Sequence, residues 1–136
     1  MEEGVKKSKS RRKILLKKIW VLFSEWVRRK EKGICYTCGI KKNYKEMNAG
    51  HYLHNRLDFN PMNVHCQCVR CNKWLSGNLG VYAENLIKEY GIEAVEILRL
   101  RSHQIWKPSF DELEKLLEHW KEELKKIKGA QNENQD

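Results

Sequence analysis

Four cysteines form the strongest chemical pattern in this 136-residue sequence. They make two Cys-x-x-Cys pairs, Cys35/Cys38 and Cys68/Cys71. Zinc binds four thiolates in a tetrahedron, and each pair supplies one edge of it. The alternatives are a disulfide pair or four unconnected buried thiols, but the charged N-terminal residues lack the apolar segment of a secretory signal. The spacing therefore predicts a structural zinc site, with Cys66 outside it as a small buried or half-exposed thiol.

Three polar residues follow one another along the chain in the strand–strand–helix order of a ββα-metal nuclease site. His51 ends a predicted strand, Asn63 opens a second one, and Asn72 lies in a predicted helix. Hydrolysis of a phosphodiester needs a base for water and a cation for the phosphate. We expect His51 to be the general base, Asn72 to bind Mg²⁺ or Mn²⁺ through its oxygen, and Asn63 to orient the loop or the His51 ring. A hydrogen-bonded surface histidine and a helix-capping asparagine are equally reasonable from these residues alone.

The charge is distributed unevenly along the chain. The net charge is +9; residues 1–32 hold 12 basic and 4 acidic residues, whereas residues 111–136 hold 5 and 8. Because each neutralised phosphate releases counterions, we expect a nucleic acid as partner. A helix on anionic lipid and a merely solvated face are the alternatives. The basic residues expected to contact phosphates around the site are Lys41, Lys42, Lys45, Arg56, Arg70 and Lys73.

Helical segments surround the predicted site. Apolar residues recur with helical spacing over residues 11–30, after a polar segment, residues 1–10, that we expect to be disordered. Ser109 and Glu112 form a capping box for a final helix that ends near Gly129. The shorter elements are strands over about 47–53 and 63–66 and helices over about 69–74, 81–90 and 93–101, with Gly91 as a C-cap.

These elements predict an α-rich α+β fold. Its centre is a treble-clef-like ββα core stapled by one zinc ion, with flanking N- and C-terminal helices. The predicted parts are a basic arm and helix (1–32), the nuclease core (33–105), a C-terminal helix (106–129) and a disordered tail (130–136).

A longer string of residues resembles the NinG (Rap) recombination proteins of lambda-type phages. The residues that carry the resemblance are Asn48 to Tyr52, Phe59, Asn60, Asn63, His65, Gln67, Cys68, Cys71, Asn72, Ser76 to Leu79, Tyr82, Gly91 and Glu93 to Val95. It extends from about Gly33 to Ile127. The family is described as HNH-like, metal-dependent endonucleases that cut branched recombination intermediates such as Holliday junctions and D-loops.

The resemblance implies a role for each matching residue. His51 corresponds to the histidine base, Asn63 to the central asparagine and Asn72, in place of a histidine, to the final metal ligand. The four paired cysteines correspond to the structural zinc ligands. Many HNH enzymes have a carboxylate or histidine ligand just before the base, where this chain has Gly50, so Asn78 is a further candidate ligand. Lambda-type members also carry an extra Cys-rich N-terminal segment, where this chain has a basic helix.

The expected function is therefore structure-specific cleavage of branched DNA during phage recombination. The alternatives are a general, homing, packaging or defence HNH nuclease on duplex DNA, and a non-catalytic zinc module that binds DNA. Symmetric cutting of a junction favours a homodimer, and phage recombination proteins are further expected partners. The longest apolar run, Ile19 to Phe23, is too short to cross a bilayer, so we expect a protein of the host cytoplasm without a membrane partner.

Overall fold

A two-stranded antiparallel sheet holds the first of the predicted catalytic residues. The computed structural model describes residues 2–54 and 59–133. Strand β1 (Asn48–His51) pairs with β2 (Val64–Gln67), with Asn48 opposite Gln67 and His51 opposite Val64. Both predicted strands are therefore confirmed. Every residue of β2 is buried, so this strand is covered on both faces.

The chain turns from β2 into helices. Residues Arg70–Trp74 form one π-helical turn, closed by the Leu75 N–H, which donates to Arg70 O at 2.9 Å. Helix α2 (Leu79–Tyr90) and helix α3 (Ile92–Ser102) follow. Gly91, with φ +90°, ends α2 by donating its N–H to Ile87 O, as the C-cap prediction required. The helix predicted over residues 69–74 is thus a wider turn than an α-helix.

Two long helices complete the fold, α1 (Glu2–Lys30) and α4 (Phe110–Glu133). The described residues form two units. The helical unit contains the residues up to Trp26 and those from Lys107 onward, and the cysteine unit contains Val27–Trp106.

An aromatic contact marks the core of the helical unit. The rings of Phe23 and Trp120 lie 4.7 Å apart, and Ile19, Leu113 and Leu124 are buried with them. These residues belong to the two predicted helical stripes, which are confirmed. The capping box is also present in part, because Glu112 N donates to the Ser109 hydroxyl at 3.1 Å.

Both outer ends of the long helices differ from the sequence prediction. Residues 2–10 are helical rather than disordered, because they continue α1 and begin with Glu2 and Glu3, which complement the positive end of the helix dipole. Helix α4 continues through Gly129 to Glu133, since a glycine alone costs a helix only about 1 kcal/mol. The disorder predicted for residues 130–136 is therefore wrong for 130–133, and the last three residues lie outside the described part.

The architecture is a helix-rich α+β fold with a small two-stranded sheet and one cluster of four cysteines. The apolar core of the cysteine unit is formed by Tyr52, Tyr82, Leu86, Val95 and Leu98. In the part of the chain that the structure describes, none of the helices is long and apolar enough to span a bilayer.

Candidate functional site

The two Cys-x-x-Cys pairs come together in the cysteine unit. Cys35 and Cys38 lie in a turn in which Gly39 N donates to Cys35 O and Cys35 N donates to Ile40 O, at 2.9 and 2.8 Å. Gly39 has a φ of +80°, which only glycine adopts without strain. The other pair lies at the end of β2, where the π-helical turn begins. Local backbone geometry thus presents each pair of sulfurs on one side of its turn.

The sulfur positions fit a tetrahedral metal ion. All four Sγ atoms lie within 4.8 Å of one another, and those of Cys38 and Cys68 are 3.7 Å apart. Zinc–sulfur bonds of ~2.3 Å in a regular tetrahedron separate neighbouring sulfurs by about 3.8 Å. These four cysteines can therefore bind a metal ion such as zinc, as the sequence predicted.

The ionisation of the thiols also favours a cation in the cluster. Burial opposes ionisation of Cys35, but hydrogen bonds from the Thr37 hydroxyl and nearby backbone amides outweigh it and lower its pKa to about 6. Burial raises the pKa of Cys71. Four thiolates packed this closely repel one another, so a bound cation is what would let all four ionise near neutral pH.

Two further residues contact this cluster or lie beside it. Asn78, a candidate Mg²⁺ ligand in the sequence, donates its Nδ2 to Cys71 Sγ at 3.8 Å and so orients a thiol. Cys66 is fully buried and is not one of the four clustered cysteines, as predicted. Burial raises its pKa to about 12, which keeps it a neutral thiol.

The predicted catalytic residues surround the end of β1. His51 is the last residue of this strand and is half-buried. Asn63 is fully buried, and its amide makes two hydrogen bonds to Leu53: Nδ2 donates to Leu53 O at 2.7 Å and Oδ1 accepts from Leu53 N at 2.9 Å. Of the two roles expected for Asn63, the structure shows that of fixing the loop after His51.

Gly50 explains how Asn72 approaches this strand. A Cβ added to Gly50 would lie 1.9 Å from Gln67 Oε1 and 2.9 Å from Asn72 Oδ1, so both amide oxygens converge above the residue before His51. Gln67 Oε1 is buried without a hydrogen-bond partner among the described residues, and Gln67 Nε2 donates to Thr37 Oγ1 and Gly77 O. Gln67 therefore fills the space that a side chain at position 50 would need.

A buried tyrosine of helix α2 also holds strand β1. Tyr82 of α2 donates its hydroxyl to Gly50 O at 2.7 Å and lies 3.3 Å from Asn63 O. Burial raises its pKa well above the usual range, so the hydroxyl remains a donor. Sequence reasoning gave no role to Gln67 or Tyr82, although both belong to the residue string that carries the family resemblance.

The sequence predicted no catalytic role for the other four histidines, of which one is buried and three are exposed. His65 is buried, with Nδ1 2.8 Å from Glu31 Oε2 and Nε2 3.0 Å from Met62 O, and its ring stacks on Tyr36 at 3.8 Å. The others are exposed, and they are His54, His103 and His119.

The candidate phosphate-binding residues are presented to solvent. The exposed ones are Lys41, Lys42, Lys45, Arg70 and Lys73, and Arg56 lies outside the described residues. Two arginines at the end of α1 hold the segment that carries three of these lysines: Arg28 donates to Tyr44 O at 3.1 Å and Arg29 to the Tyr44 hydroxyl at 2.7 Å. The sequence predicted only that the cations of this helix, including these arginines, face solvent or DNA.

Comparison with known proteins identifies the family. The family model described as "Bacteriophage Lambda NinG protein" matches residues 2–131. Protein ninG of Escherichia phage lambda is 32% identical over 103 residues, and Protein ninG of Salmonella phage P22 is 31% identical over 103 residues. Each alignment covers 73% of this chain and 50% of the relative, so the chain spans about half the length of these curated relatives. No solved structure matches the chain.

The chain is thus related to phage proteins and combines a small two-stranded sheet with a cluster of four cysteines. It belongs to the NinG family of lambdoid phages.

Proposed function

We propose that this protein is a metal-dependent DNA endonuclease of the HNH, or ββα-metal, type that acts on branched recombination intermediates. The observation that carries the proposal is the convergence at the end of β1, where Asn72 Oδ1 approaches Gly50, the neighbour of His51, beside four clustered cysteines. Branched DNA as substrate, and phage recombination proteins as partners, rest on the family resemblance.

His51 would act as the general base. Imidazole has a pKa near neutrality, so a histidine can take a proton from water at cellular pH. The hydrogen bonds of Asn63 to Leu53 and of Tyr82 to Gly50 O hold the backbone on both sides of His51. This rigidity would keep the ring aimed at an attacking water molecule.

We expect a hard divalent cation to bind at the oxygens near Gly50. Mg²⁺ and Mn²⁺ prefer oxygen ligands, often take only one or two from the protein, and complete their shell with water and substrate phosphate. Asn72 Oδ1 would be the protein ligand, and the buried Gln67 Oε1 would support it. The bound cation would supply positive charge for the phosphate and the leaving oxygen.

The four cysteines would hold a structural zinc ion, which fixes Asn72 because Cys71 is its neighbour. Asn72 N also donates to Cys68 O at 3.0 Å. Arg70 and Lys73, exposed on the same turn, would hold the DNA backbone. Symmetric cutting of a junction would need two such sites and thus a homodimer.

The test is gel-resolved cleavage of a four-way junction and of a matched linear duplex. The zinc-loaded protein is assayed with Mg²⁺, with Mn²⁺ and with neither, since a strong chelator would also remove the structural metal. We expect divalent-dependent cutting of the junction by the wild type and by His119→Ala, a control histidine in α4, and no cutting by His51→Ala.

Other outcomes would favour the alternatives. Equal cutting of both substrates would indicate a general HNH nuclease. Gly50 favours a second candidate, a non-catalytic zinc module, because Gln67 occupies the place where HNH enzymes often carry a metal ligand. Salt-sensitive binding of DNA without cutting, identical in the wild type and in His51→Ala, would support that candidate and contradict the catalytic assignment.

A further inference from the structure

Trp74 is unusually exposed for its residue type. Its exposed fraction of 79% is the largest among the exposed large hydrophobic side chains of the part that the structure describes. It ends the π-helical turn that begins at Arg70, and this turn is anchored by the buried Cys71 and by the hydrogen bond from Leu75 N to Arg70 O. A large indole held in water on an anchored turn contributes little to folding, so it is suited to a contact with a partner.

Two neighbours of this indole in the same turn are basic. Arg70 precedes Trp74 by four residues and so lies on the same face of the turn, and Lys73 is adjacent; both are exposed. The sequence from Phe59 to Ala83 contains no aspartate or glutamate. An aromatic ring flanked by cations, without acidic residues in the segment, is complementary to a nucleic acid with an accessible base.

We propose that Trp74 stacks on the open face of a nucleobase at the branch of a DNA substrate, while Arg70 and Lys73 contact the phosphates on either side. The proposal rests on the proposed function for its partner, DNA, but it assigns a residue that distinguishes branched from linear DNA. In a linear duplex both faces of each internal base are covered by neighbouring bases. A branch or an unpaired segment leaves a base face open, and stacking on an aromatic side chain tolerates any base.

Charge argues against a second copy of this chain as the occupant. A twofold contact places the same patch of both subunits face to face. It would therefore bring Arg70 and Lys73 of one copy against the same cations of the other, with no acidic residue from the segment between Phe59 and Ala83 to offset them. Phosphates supply the missing negative charge.

The experiment measures DNA binding separately from cleavage. Zinc-loaded protein carrying His51→Ala is titrated into a fluorescently labelled four-way junction, a duplex with an unpaired base and a fully paired duplex. Trp74→Ala, Trp74→Phe and the control Leu100→Ala, which removes a 70% exposed side chain of α3, are added to this background. Zinc content and molar mass in solution are measured for each variant.

We expect Trp74→Ala to weaken binding of both substrates with open bases by at least about fivefold, whereas paired duplex changes less than about twofold. Trp74→Phe should recover much of the affinity, and Leu100→Ala should behave as its parent. Equal affinity of Trp74→Ala and its parent for all substrates, or an equal loss for all of them, would overturn the inference. A dimer that Trp74→Ala converts to a monomer would also overturn it, in favour of a self-contact.

The outcome is independent of catalysis. If the wild type cuts junctions and Trp74→Ala binds them normally, only the stacking inference fails. If the wild type cuts nothing but loses branched-DNA binding on Trp74→Ala, the nuclease proposal fails and the stacking inference stands. A parent protein that binds none of the three substrates contradicts both.

Discussion

Different kinds of interaction stabilise the interior of the helical unit and the interior of the cysteine unit. The helical unit buries an apolar stripe, centred on Phe23 and Trp120, and keeps its ion pairs at the surface, as between Arg11 and Glu114 at 2.8 Å. The cysteine unit instead buries polar groups beside its cysteines, including Asn63, His65 and Gln67. The helical unit therefore depends mainly on the hydrophobic effect along regular helices. The cysteine unit adds to its own apolar core specific hydrogen bonds and a cysteine cluster that can bind a metal ion.

Removing the metal should have the largest effect, and it should be confined mainly to the cysteine unit. Structural zinc contributes on the order of 10 kcal/mol in zinc-finger peptides, more than most small domains have to spare. We expect a zinc chelator, or Cys68→Ser, to abolish the protection of β1 and β2 amides against hydrogen exchange. The amides of α4 should keep most of their protection, and readdition of zinc should restore the wild type.

Cys66→Ser is the matched control for that substitution, because Cys66 does not belong to the cluster. It should retain one zinc ion per chain, whereas Cys68→Ser should not. Unchanged exchange of the β1 and β2 amides after complete removal of zinc would show that the polar network alone holds the cysteine unit, and would remove the difference between the two units.

Truncating the aromatic core should have the next largest effect, on the helical unit. Phe23 is fully buried and packs against Trp120. Phe23→Ala should lower the free energy of unfolding by about 3–5 kcal/mol, because it leaves a cavity in place of the ring. Urea denaturation followed by circular dichroism measures the loss. Zinc stoichiometry should stay at that of the wild type, and a loss of zinc in Phe23→Ala would contradict the separate bases of stability.

A methyl group at position 50, in the cysteine unit, should lower stability by less than Phe23→Ala does. The added Cβ of Gly50→Ala would lie 1.9 Å from Gln67 Oε1, so one of the two must move. We expect a loss of about 1–3 kcal/mol in stability, typical of overpacking.

A double-mutant cycle tests the cause of that loss. Because Gln67→Ala removes the clashing carboxamide, Gly50→Ala should cost clearly less in the Gln67→Ala background than in the wild type. An equal cost in both backgrounds would show that backbone effects, rather than Gln67, exclude side chains from position 50. The cycle also bears on the site, since the same carboxamide lies beside Asn72 Oδ1.

The parts of this molecule that could be predicted from sequence are those with a repeating or local signal. The helical stripes, the Gly91 cap, both strands and the four-cysteine set were predictable because each depends on periodicity, a turn residue or a short motif. The outer ends of the two long helices were not predictable. No local residue prevents α1 from beginning before residue 10, and Gly129 alone does not end α4.

The polar contacts of the cysteine unit could not be predicted, because they join residues far apart in sequence. Gln67 approaches Gly50 across the two paired strands, and the hydroxyl of Tyr82, from α2, donates to the carbonyl of Gly50. Glu31 reaches β2 in the same way, through His65 and the Cys66 N–H. No periodicity marks such residues, so the candidate site was predicted as residue types and not as an arrangement.

The smallest expected effect is the loss of the Ser109 cap of α4, which a short sequence motif predicts. It tests whether burial of the aromatic stripe, rather than capping, dominates the stability of the helical unit. Ser109→Ala removes the acceptor of the Glu112 N–H at the start of α4 and should cost about 1 kcal/mol. Thermal denaturation should show a small loss for Ser109→Ala and none for Ser109→Asp, which can cap equally well. A loss as large as that of Phe23→Ala would mean that capping, rather than burial of the aromatic stripe, dominates the helical unit.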